Sequence, residues 1–111
     1  MSGQDLYNQL NSLISQLDMS LKQLRSNGRE YAEAEKNYKI ELTKQALLLR
    51  EQQMAITLID KTVYGYPNVA ELRFKRDVAE SIYKANQEAI NVLKLKIRLL
   101  DNQISKEYGE G

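Results

Sequence analysis

Carboxylates are the side chains in this sequence that could most readily do chemistry, and their spacing argues against it. Glu33/Glu35 and Asp77/Glu80 are pairs of acids at i,i+2 and i,i+3. On a helix such pairs are ordinarily solvated charges rather than a general acid beside a general base. Histidine is absent, which removes the commonest base and the commonest metal ligand together. Cysteine is absent as well, so there are no disulfides and no thiolate metal sites. A metal would have to be held by oxygen alone, and no loop gathers the oxygens. Ser, Thr and Tyr have no His to activate them, and spacing alone identifies no Ser-Lys pair. The EF-hand, P-loop, dinucleotide-binding, HExxH and nucleophile-elbow patterns are all missing. The expectation is a protein that is not an enzyme, with no catalytic, metal or cofactor-binding residues.

A second chemistry is phosphate binding. Arg73, Arg76, Lys84, Lys94 and Arg98 project within roughly 80° of one another on a helix, and such a stripe can track a nucleic-acid backbone. Glu80 falls inside the same arc, and Asp77 and Glu88 flank it. No aromatic residue is interleaved to stack on bases. Sixteen basic residues against fifteen acidic give a net charge of +1, so overall charge implies no nucleic-acid partner. A solvated helix face is favoured over a nucleic-acid interface.

The element that positions these residues is a long helix over 68–108. Leu72, Ala79, Tyr83, Asn86, Ile90, Leu93, Ile97, Leu100 and Ile104 form one stripe at spacings of mostly three and four. A second stripe, Val78, Ile82, Ala85, Ala89, Val92 and Leu99, lies beside it. Together they cover roughly 200° of the circumference, about twice the usual apolar face. Such a helix needs neighbours on two sides. The first stripe is the expected oligomer interface. Asn86 within it either specifies the register of a buried seam or sits at the seam's edge.

The rest of the chain supplies one helical arm over about 4–63. Leu6, Leu10, Leu13, Leu17, Leu21 and Leu24 make a leucine series suited to a coiled coil. Ser26-Asn27-Gly28 interrupts it, as a turn or a kink. Beyond that, Leu42, Ala46 and Leu49 continue an apolar stripe that Tyr31 and Tyr38 extend backwards, as packing residues or as a partner surface. The segment 52–57 is a second candidate break, with Thr57 and Asp60 as caps of a short helix. The alternative is a helix that runs through it. Residues 64–68 form the turn, with Asn68 as N-cap and Glu71 as its reciprocal partner. Residues 1–3 and 109–111 are expected to fray.

The 111 residues thus predict a single all-α domain. Its form is a long antiparallel helical hairpin, or coiled coil, with an N-terminal leucine-rich segment, either folded back as a third helix or buried in an oligomeric bundle. With no membrane span and no leader pattern, a soluble protein of the cytoplasm is expected.

The run Leu72-Arg73-Phe74-Lys75-Arg76-Asp77-Val78-Ala79-Glu80, then Tyr83, then Glu88 to Leu100, resembles a family of small coiled-coil proteins of temperate phages of Gram-positive bacteria. The likeness runs from about Leu6 and is strongest over Ala70 to Glu107. Genes of that family lie in early, replication and recombination regions, and the family has no established activity. Ala55 stands where its members often carry Pro, and Tyr108 where they carry Trp. Ala55 in place of Pro favours an uninterrupted first helix. The broad apolar face, the lack of catalytic residues and this resemblance together favour a homo-oligomeric interaction protein in the cytoplasm of the bacterial host. It would act on a phage or host protein, as an accessory to replication or recombination or as an inhibitor of a host nuclease or defence protein. The alternatives are a nucleic-acid-binding accessory and a structural virion or scaffold component.

Overall fold

The computed structural model describes residues 2–109, and those residues form helices and their connections with no strand. Helix α1 is Gly3–Glu51, α2 is Ile56–Thr62, a single 3-10 turn covers Val63–Gly65, and α3 is Pro67–Tyr108. Packing divides the chain into two units. One is Met1–Ser26 with Lys84–Gly111, of which 2–26 and 84–109 are described; the other is Asn27–Tyr83.

The start of α1 is capped. Ser2 Oγ accepts from the Asp5 backbone N–H at 3.1 Å, and the Ser2 carbonyl accepts from Leu6 N–H. The fraying expected of 1–3 therefore does not extend to Gly3, which is the first helical residue. Met1, Glu110 and Gly111 lie outside the described residues. At the other end the Gly109 N–H donates to the Ser105 carbonyl, and a Cβ on Gly109 would lie 2.3 Å from that oxygen.

The turn expected at Ser26-Asn27-Gly28 does not occur, since α1 is continuous from Gly3 to Glu51. Gly28 has a packing role instead. A methyl group there would meet Cε2 of Tyr83 at 3.1 Å, so the missing side chain makes room for the tyrosine ring of the neighbouring helix. The roughly 1 kcal/mol propensity cost of a glycine, added to the weak helix formers Ser26 and Asn27 before it, is set against this packing.

Helix α1 stops without a glycine. The Met54 N–H bonds the Leu49 carbonyl and the Gln53 N–H bonds the Arg50 carbonyl, the paired 6→1 and 5→2 bonds of a Schellman ending. Gln53 takes the left-handed position, with φ 63°. Met54 packs on the cluster that holds Leu49, the hydrophobic contact that goes with this ending. Ala55 then adopts φ −60°, ψ 140° and its backbone carbonyl starts α2, accepting from Leu58 and Ile59. Thr57 and Asp60 are therefore inside α2 and do not cap it. The uninterrupted first helix expected from Ala55 is not seen, since Ala55 is extended, with ψ 140°.

Helix α3 begins two residues earlier than the N-cap reading of Asn68 implies, with Tyr66 at the cap. Tyr66 is extended (φ −66°, ψ 135°), as a residue before proline should be, and its carbonyl accepts from Ala70 N–H at 2.8 Å. Pro67 takes the first helical position, where its fixed φ fits and its missing N–H costs nothing.

In the Asn27–Tyr83 unit, Leu49, Ile59 and Val63 form a buried cluster ringed by Leu42, Ala46, Met54 and Tyr66. In this way the α1 ending, α2 and the 3-10 turn share one core. Val69 and Tyr38 are buried in the same unit. In the other unit, Leu6, Ile90, Leu93 and Leu100 are buried together with Asn86. Asn86 lies inside this packing, not at its edge, and its Nδ2 donates to the Ser20 carbonyl at 3.3 Å.

Candidate interaction surfaces

Each unit pairs α1 with α3 in antiparallel fashion. In Asn27–Tyr83, Tyr31 meets Glu80 and Glu35 meets Arg76. In the other unit Ser20 meets Asn86 and Gly3 lies against the Tyr108 ring. These pairings decide which face of α3 is used.

The stripe expected to face a second copy is covered by this chain's own α1. Leu72, Ala79 and Tyr83 are half-buried in the Asn27–Tyr83 unit. In the other unit Asn86, Ile90, Leu93 and Leu100 are buried, and Ile97 and Ile104 half-buried. The intrachain helix pair spends these residues, so they are not an open oligomer interface. The second stripe is what remains. Val78 and Ile82 are exposed in one unit, and Ala85, Ala89, Val92 and Leu99 in the other. Sequence reasoning had both stripes but could not tell which one α1 would take.

Three of the four paired acids bond neighbouring side chains, and Glu33 is exposed. Glu35 accepts from Arg76 at 3.0 Å and lies 3.7 Å from Lys39. Asp77 accepts from Arg76 Nε at 2.8 Å. Glu80 accepts from the Tyr31 hydroxyl at 2.5 Å. That bond, then burial and the charge of Glu80, raises the Tyr31 phenol above its usual value, because ionisation would lose the donor and set two negative charges together. Arg76 is held still more firmly in its charged form, first by its bond to Glu35. Its guanidinium also lies 4.6 Å from the centre of the Tyr38 ring. Tyr31 and Tyr83 stack at 5.9 Å with a 36° tilt, so these tyrosines act as packing residues of the helix pair. Among the described residues no three acidic side chains gather as metal ligands.

The basic arc is correspondingly weaker than the sequence suggests. Arg76 is half-buried and committed to Glu35, Asp77 and Tyr38. Arg73 is exposed but stands 5.5 Å over the Tyr64 ring. Lys84, Lys94 and Arg98 are exposed in the other unit. The sequence marked all five as alike because Arg76's principal partner, Glu35, is 41 residues away. Missed altogether was an outward face of α1, where Ile40, Leu47 and Leu48 are exposed. The signal for it was present, since Ile40 and Leu47 are seven residues apart and off the Leu42–Ala46–Leu49 stripe.

No described helix is long and apolar enough to cross a membrane. No family model, curated protein or solved structure matches the chain.

Proposed function

We propose that this chain is a non-enzymatic helical protein–protein interaction module, a long hairpin that assembles into a homo-oligomer through the face of α3 that α1 leaves open. The observation that carries this reading is the exposure of Val78, Ile82, Val92 and Leu99 beside a stripe that is already packed. Burying apolar side chains of this size is worth roughly 1.5–3 kcal/mol each, enough to drive association when several act together. On the phage resemblance, its place is the cytoplasm of a bacterial host, and its partner a phage replication or recombination protein or a host nuclease or defence protein. The commitment of Arg76 to an interhelical ion pair favours this over a nucleic-acid-binding accessory.

The test is light scattering after size exclusion on the wild type, Val92→Glu and Ile97→Glu. A discrete wild-type oligomer is expected. Val92→Glu should return it to monomer with its helical circular dichroism intact. Ile97→Glu should lower the helicity itself, because that side chain packs against α1. A wild type that stays monomeric as concentration rises would refute the assembly.

A further inference from the structure

Within the Asn27–Tyr83 unit, α1 presents a second apolar surface that points away from the core. Ile40, Leu47 and Leu48 are 59%, 56% and 41% exposed, whereas Tyr38 and Leu49 on the opposite side are 4% and 3%. Ile40 and Leu47 lie about 20° apart around the helix axis, two turns from each other. Thr43 and Lys44 sit between them and, with Lys39 and Glu51, line a shallow groove.

The charge around this groove is mostly positive. From position 33 to 51 the exposed charged side chains are four cations, Lys36, Lys39, Lys44 and Arg50, and two carboxylates, Glu33 and Glu51. The chain as a whole is almost neutral at +1, so this local surplus is a segregation of charge. The nearby acids Glu35 and Glu41 are half-buried, the first bonded to Arg76 and the second accepting from Gln45.

We propose that this face docks an acidic amphipathic helix of a partner protein, a reading that rests on the chain's being an interaction module. Such a helix would lay apolar anchors over Ile40, Leu47 and Leu48 and place carboxylates opposite the flanking cations. A nucleic-acid strand would use the cations and leave the two leucines and the isoleucine in water. A lipid surface needs a broader apolar face with interfacial aromatics, and this stripe has three aliphatic residues and no aromatic one. A second copy offers poorer complementarity. The exposed apolar side chains of α3 in this unit, Phe74, Val78 and Ile82, have Arg73 and Lys75 beside them as well as Glu71 and Asp77.

The experiment is fluorescence anisotropy on the full chain with a labelled helical peptide carrying leucines at i, i+4 and i+7 and glutamates on both flanks. Its isomer with lysine for every glutamate is the comparison. The glutamate peptide should bind about tenfold or more tightly than the lysine peptide. Leu47→Glu should weaken it by about tenfold or more, from the lost burial of one leucine and an added like charge. Lys36→Glu with Lys44→Glu should reverse the preference between peptides. All three positions are exposed, and circular dichroism should show each variant helical. Equal binding of both peptides, or binding indifferent to Leu47→Glu, would overturn the proposal. So would sedimentation with phosphatidylserine vesicles that is lost in Leu47→Glu, or an oligomer that dissociates in that variant. Light scattering of the same variants separates this from the α3 assembly: Leu47→Glu should leave the oligomer unchanged.

Discussion

Adjacent leucines on α1 offer a sharp test of the helix's orientation. Leu49 is 3% exposed, touches the Ile59–Val63 cluster, and sits at the position whose contact with Met54 closes the helix ending. Leu48, one residue away, is 41% exposed. Truncating a buried leucine to alanine costs about 2–5 kcal/mol, the spread depending on how far the surroundings collapse. Around Leu49 the neighbours Leu42, Ala46, Met54 and Tyr66 are only half-buried, so partial collapse is open to them. Leu49→Ala should therefore fall in the lower part of that range, about 2–3 kcal/mol. Leu48→Ala should cost less than about 1 kcal/mol, because little of its surface leaves water and alanine is the better helix former. In a urea titration followed by far-UV circular dichroism, the first loss corresponds to a midpoint lowered by about 1–2 M and the second to a small shift. The titration should be run at two protein concentrations, since assembly raises apparent stability by mass action. Equal losses, or a larger loss for Leu48→Ala, would mean that α1 is rotated from the orientation described and that the docking face is wrong with it.

Two further expectations follow from local geometry. Gln53→Gly should raise stability by about 1 kcal/mol, read as a higher urea midpoint, because a side chain at φ 63° carries a steric cost that glycine lacks; an unchanged or lower midpoint would refute the Schellman ending as the stop of α1. Tyr31→Phe probes the bond to Glu80, in which the neutral phenol is the donor. Since folding raises this pKa, the contribution is complete below about pH 10, the ordinary tyrosine value, and is lost as pH rises through the higher folded one. The stability gap between wild type and variant should thus be present at about pH 8 and shrink above pH 10 or so; no gap at about pH 8 would show that the hydroxyl does nothing for the fold, and a gap that stays constant would show that the bond to Glu80 is not its source.

Helix content was legible because it depends on periodicity, a property of one segment at a time. The positions Leu72 to Ile104 could be grouped as one face without knowing their neighbour. What failed were readings that depend on a second segment. Gly28 carries the same sequence signal whether it ends a helix or makes room for Tyr83, and only the packing of α3 decides between them. Gln53 carries no signal, since glutamine rarely takes the left-handed position; the Leu49–Met54 contact compensates for the cost. Arg76 looked like its basic neighbours until Glu35 and Tyr38 were set against it. Asn68 looked like a better cap than Tyr66 because side-chain capping is visible in sequence, whereas the fixed φ of Pro67 already organises that end of the helix.

The fate of the two apolar stripes joins the fold to the proposed function. One antiparallel neighbour covers about 100° of a helix, and α3 presents roughly 200°. The sequence allowed the leucine-rich segment to return as a third helix and take up the rest. That route is closed, because Leu6 to Leu24 are the opening of α1 itself, and in the Met1–Ser26 and Lys84–Gly111 unit all of that series but the exposed Leu21 is already spent on the helix pair. Leu6 is buried there, and Leu10, Leu13, Leu17 and Leu24 half-buried. No segment among the described residues is left over to cover Val92 and Leu99. A surface of this kind left in water would be a standing aggregation hazard on so small a chain. On the proposed assembly a second protein surface covers its aliphatic residues, and Val92→Glu separates that account from a solvated helix face because it alters the open stripe and replaces no residue of the packed one.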